Sequence, residues 1–174
     1  MDVSATRSRP PSVGYTTEWL QDFLQRASGL SFTVAQAEQV AALAERKLID
    51  LFDVAVEAAL ANGRARIMRH DLPITKGLRG LLVEAEAAAR LLDLPRLLVF
   101  LDEVGVPGPL DELVKQEIPR LMAAVLLLAG RIIGLLEPET MSPKERLERL
   151  LRGAPNAPTQ WELERAARVL SLTL

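Results

Sequence analysis

The sequence predicts an all-α protein, and three observations predict it. Hydrophobic residues make up 49% of the chain but aromatics only 4%, so Leu, Ala and Val carry the core, a balance that suits helices better than sheets. Residues 34–62 contain neither glycine nor proline, and within them Val40, Leu43, Ala44, Leu48, Leu51, Phe52, Ala55 and Ala59 recur at helical spacing. The apolar stretches also open after Thr or Asp and close at Gly, as capped helices do.

Taken in order, residues 1–15 are rich in Ser, Arg and Pro and aperiodic, which predicts a flexible tail. A first short helix follows, capped by Thr16 or Thr17, with Trp19, Leu20, Phe23 and Leu24 as its apolar stripe and Gly29 as its stop. After LSFT, with Thr33 as cap, a long helix runs to Asn62-Gly63. Its polar face holds Gln36, Glu38, Gln39, Glu45, Arg46, Asp53 and Glu57. The basic loop comes next. Asp71-Leu72-Pro73 predicts another helix, with Asp71 at its N-cap and Pro73 in its first turn, continuing through KGLRGLLVEAEAAARLL.

The second half repeats the order. A short helix is predicted over 94–105, a loop over 106–109 and a second long helix over 110–137, which Pro119 is expected to kink or break. Between 121 and 136 this helix is apolar almost all round, so it needs burial on most sides. A proline-punctuated insertion, 138–158, carries its own short helix around 144–151, and a last helix follows Thr159.

The chain has no cysteine, which excludes disulfides and thiolate metal sites. The N-terminus has no apolar core of a signal peptide, and the run LMAAVLLLAG is half the length of a membrane span. A cytoplasmic protein is expected. Net charge is −2, but residues 62–80 alone balance to +4, and residues 1–15 and 138–158 to +1 each, leaving −8 for the rest. This polarity of charge matters more for binding than the average.

The stretch LIDLFDVAVEAALANGRARIMRHDLPITKGL, together with the short–long–short helix order used twice, resembles the histone-fold superfamily, and in particular a bacterial family of single-chain double histone folds. The resemblance rests on Arg64, Ile67 and Asp71 at i, i+3 and i+7 in the loop after the first long helix. It implies two tandem histone folds, 16–92 and 93–174, packed as an intramolecular pseudo-dimer within one domain, 16–174. It further implies that Arg64 and Asp71 brace the loop while Ile67 anchors a short strand segment beside the partner repeat. Such proteins hold DNA along loop edges. Here the loop LSFT has no arginine, and VGVPG, at 104–108, has no charge.

The candidate DNA-binding residues are therefore Arg66, Arg69, Lys76 and Arg79 on the basic loop and the helix after it, with Arg7 and Arg9 in the tail. Lys144, Arg146, Arg149 and Arg152 interleave with Glu145 and Glu148 and read as a solvated helix face. His70 is the only histidine, so neither a metal site nor a His-based triad is expected. Asp50 and Asp53 read as salt-bridging surface acids. The expectation is a non-enzymatic, cofactor-free, histone-like protein of the nucleoid that binds double-stranded DNA weakly and without sequence preference. The alternative is a protein-interaction or homo-oligomerising module on the same scaffold. Neither a membrane nor a small-molecule substrate is expected.

Overall fold

The computed structural model describes residues 15–106, 108–136 and 157–172. Arg7 and Arg9, the basic residues of the 138–158 insertion and the helix expected around 144–151 lie outside the described residues. Seven α-helices form among the described residues: α1 (Thr17–Ser28), α2 (Val34–Ala61), α3 (Lys76–Glu84), α4 (Glu86–Ala89), α5 (Leu94–Glu103), α6 (Glu112–Leu135) and α7 (Gln160–Leu172). No strand forms among them, so the protein is all-α.

The caps are local and follow from side-chain chemistry. Thr16 Oγ1 accepts from the Trp19 amide at 3.3 Å. Thr33 and Gln36 form a reciprocal capping box on α2. Asp93 caps α5 through the Arg96 amide, and Thr159 and Glu162 cap α7 in the same reciprocal way as α2. α2 ends where expected, with Gly63 in the left-handed region at φ 67°.

α6 is the hub. It packs against α1, α2, α3, α4, α5 and α7, and residues 121–126 are all buried. By length and composition α6 could cross a membrane, but 61% of its apolar window is buried inside the protein, which accounts for its hydropathy. α1 and α7 also lean on α2, and the Gln36 amide donates to the Pro158 carbonyl at 2.7 Å, tying the start of α2 to the segment that enters α7.

Five expectations need correcting. Pro119 does not break α6; it removes one backbone N–H, but Ile118 and Leu121 are fully buried on either side and hold the helix through it. Asp71 does not cap α3. It sits in a single 3-10 turn, Arg69–Asp71, and the cap is Thr75, whose hydroxyl accepts from the Leu78 amide at 3.2 Å. The predicted continuous helix also divides at Ala85 into α3 and α4. Glu45 leaves the polar face of α2: it is buried and accepts from the Tyr15 hydroxyl at 3.1 Å. Tyr15, assigned to the tail by composition, is itself 6% exposed and part of the core.

The closest helix approach lies between α1 and α6. A Cβ on Gly134 would lie 2.5 Å from the Ser28 carbonyl oxygen and 2.9 Å from its Cα, and one on Gly130 would meet Ala27 Cβ at 2.7 Å. Gly80, in α3, faces open space. The two positions should therefore respond oppositely to alanine. Gly80→Ala is expected to raise stability by roughly 0.5–1 kcal/mol through helix propensity. Gly134→Ala is expected to lower it by about 1–3 kcal/mol, because the clash is with backbone that cannot swing aside. Urea midpoints of the two variants check this; equal shifts would remove the close approach as a constraint.

Candidate nucleic-acid interface

The basic loop leaves α2 at Asn62, whose side-chain amide donates back to the Ala58 carbonyl at 2.7 Å. The chain then turns through Gly63, and the Arg64 amide bonds the Ala59 carbonyl at 2.9 Å. From there Arg64 reaches across the loop and grips Asp71 with both guanidinium nitrogens, at 2.6 and 2.7 Å. The Met68 amide donates to the same carboxylate at 2.8 Å. With three donors on it and a side chain only 1% exposed, Asp71 is fully committed to holding the loop, which is why it is not available to cap α3.

Asp71 titrates accordingly. The Arg64 hydrogen bonds, helped by the Met68 amide and the Arg64 charge, outweigh the desolvation that opposes them and lower its pKa to about 2. The same contact raises Arg64 above its ordinary value.

Ile67, 1% exposed, stitches the loop to the entrance of α6. Its amide donates to the Pro109 carbonyl at 3.1 Å, and its carbonyl accepts from the Asp111 amide at 3.0 Å, an isolated parallel bridge between Ile67 and Leu110. Gly108, at φ 95°, permits this approach: a Cβ there would sit 3.0 Å from the Ala65 carbonyl oxygen. The two loops form one edge.

The cations fall into two groups on that edge. Arg66, Lys76 and Arg79 are exposed and form no ion pair among the described residues. Arg69, 58% exposed, is not free: its guanidinium meets Glu117 of α6 at 3.1 Å. Glu117 is only 10% exposed at its side chain and also accepts from Arg120 at 3.3 Å through both oxygens. Arg120 reaches on to Glu86 at 3.7 Å, and its Nε is buried without a hydrogen-bond partner. His70 is 69% exposed with Nε2 3.8 Å from Asp71. Among the described residues no group of three or more His, Asp or Glu is arranged to hold a metal. Asp50 lies 3.8 Å from the buried Lys47 on α2.

Sequence reasoning missed Glu117 and Arg120. Their i, i+3 spacing in QEIPR was a signal for the pair itself, but Arg69 is 48 residues away and nothing local announces it.

A second feature lies away from this edge. An open groove of about 360 Å³ runs between α1, α3–α4 and α6, lined by Trp19, Phe23, Leu91 and Leu127 with Arg26 and Arg131 at its rim. Trp19 and Phe23 stack at 5.1 Å and 14°. Arg131 pairs with Glu84 across the groove and holds that carboxyl below its ordinary pKa.

The model of one protein family, described as a domain of unknown function (DUF1931), matches residues 20–152. Among solved structures, the chain is similar to a protein from Thermus thermophilus, with 28% identity and a TM-score of 0.73, covering 91% of this chain and 98% of that one. It is also similar to a protein from Aquifex aeolicus, with 20% identity and a TM-score of 0.65, covering 97% and 99%, a likeness of fold. No curated protein matches the chain.

The brace makes a pH prediction whose sign follows from the lowered pKa. An unfolded Asp titrates near 3.9, so the contribution of Asp71 is fully present above about pH 4 and is lost as pH falls through about 2. Asp71→Asn should lower the melting temperature at neutral pH by several degrees or more. It should also flatten the acid limb of the profile. Melting followed by circular dichroism from about pH 2 to 7 reads both effects; a variant that melts like the parent throughout would mean the brace adds nothing.

Proposed function

The chain belongs to the family described as domain of unknown function DUF1931, and from that footing we propose that it is a histone-like, non-enzymatic protein that binds double-stranded DNA weakly and without sequence preference. In this reading α1, α2 and α3 with α4 form one histone fold and α5, α6 and α7 a second, packed as a pseudo-dimer. The helix order supports the pairing, as does the bridge between Ile67 and Leu110, which joins the loop after one long helix to the loop before the other.

The observation that carries the DNA reading is the braced edge itself. A loop held rigid by the Arg64–Asp71 pair displays Arg66, and the first turn of α3 displays Lys76 and Arg79, all exposed and uncompensated among the described residues. Bracing matters because a loop already ordered loses less backbone entropy on binding phosphate. Residues 62–80 balance to +4, which favours approach to a polyanion by this edge despite the net −2 and the acids Asp111 and Glu117 beside it. Phosphate contacts of this kind position a protein without reading bases.

A second reading, a protein-interaction module on the same scaffold, is favoured by the groove walled by Trp19 and Phe23 and by the exposed Leu91. The two readings part in one experiment. Fluorescence anisotropy of a labelled mixed-sequence duplex of about 30 base pairs, titrated from about 20 to 200 mM salt, is expected to give a log–log slope of about −2 to −4. Arg66→Glu is expected to weaken binding on the order of five- to twenty-fold at low salt without changing oligomeric state. An absence of binding at the lowest salt would favour the interaction module.

A further inference from the structure

Arg69, on the basic edge, is ion-paired to Glu117 of α6. We infer that Glu117 is a built-in competitor of DNA phosphate for Arg69. This inference rests on the DNA-binding reading above and goes beyond it, because it assigns control of the edge to a residue of α6 that need not touch DNA.

The geometry supplies the argument. Arg69 is the most compromised cation of the edge: more than half its side chain is exposed, yet its guanidinium sits 3.1 Å from a carboxylate that is 10% exposed. A phosphate arriving at Arg69 must displace that carboxylate. Removing the partner of a buried charge is costly when nothing replaces it. Here something does, because Glu117 keeps both of its contacts to Arg120 at 3.3 Å when Arg69 turns away. Arg120 is itself incompletely satisfied, with a buried Nε that has no acceptor, so it can take a larger share of the carboxylate. Arg69 therefore has two low-cost states: docked on α6, or turned outward beside Arg66.

The docked state removes one cation from the edge, and Glu117 adds a negative charge close to where phosphate would lie. Both effects weaken binding, and both diminish when the carboxylate is neutralised. Glu117→Gln keeps an amide that can still accept from Arg120, so the substitution is close to isosteric.

The test is a two-by-two set, wild type, E117Q, R69Q and the double variant R69Q/E117Q, measured by anisotropy on the same duplex across salt, with thermal melts confirming that each is folded. E117Q is expected to bind about three- to ten-fold more tightly than wild type at low salt, with a slope steeper by about one. In the R69Q background the same change is expected to give a clearly smaller gain, the part that comes from loss of negative charge alone, and the difference between the two gains measures release of Arg69. An equal gain in both backgrounds, or no gain in either while wild type still binds, would overturn the inference and leave the DNA reading standing. Failure of both wild type and E117Q to bind at the lowest salt would overturn the two together.

Discussion

A helix that is apolar on nearly every side cannot be left against water, and α6 imposes that condition on the whole chain. Six helices share its burial, so no single partner could be removed without exposing part of it. The fraction of its surface that a two-helix pairing could cover is too small; the short helices are needed as cladding. Close approach then becomes a secondary constraint. Glycine stands in α6 where α1 lies against it, at a cost in helix propensity that the packing offsets.

Around that core the polar residues divide by depth. Asp71 and Glu117 are both nearly buried carboxylates, and each is matched to arginine, yet they act differently. Asp71 faces a guanidinium that grips it with two short hydrogen bonds, plus a backbone amide, while the exposed His70 stands off at 3.8 Å. It fixes one conformation. Glu117 faces two arginines at longer distances. Glu117 therefore divides its charge between two cations, whereas Asp71 is held by one. The same chemistry thus gives a tight two-point brace in one place and a longer, shared contact in the other.

The relatives from Thermus thermophilus and Aquifex aeolicus share the fold over nearly the full length of both chains. Fold by itself does not carry function, because sites are built on scaffolds by particular side chains. The edge here combines a loop braced by Arg64 and Asp71, a backbone bridge that joins it to the entrance of α6, and exposed cations at Arg66, Lys76 and Arg79. The groove beside Trp19 is a separate surface with a separate chemistry, apolar in its walls and ion-paired across its mouth.

Helix class, the position of both long helices and the caps at Thr33 and Thr159 were legible in the sequence, as was the first cap to within Thr16 or Thr17, because period and capping are local properties that a side chain carries with it. The pairing of Arg64 with Asp71 was expected from the family resemblance, not from the residues alone, and the structure forms it. Glu45 and Arg69 were not legible. A glutamate on a mostly polar helix face looks solvated until Tyr15 folds over it, and an arginine in a basic loop looks free until a helix 48 residues later brings Glu117 beside it. The boundary of α3 was lost for the same reason: Asp71 has the chemistry of an N-cap, but its carboxylate was already taken by Arg64. The sequence by itself determined which segments are helical and where charge concentrates. Only the tertiary structure decided which charges are available, because availability depends on partners that the chain brings together from a distance.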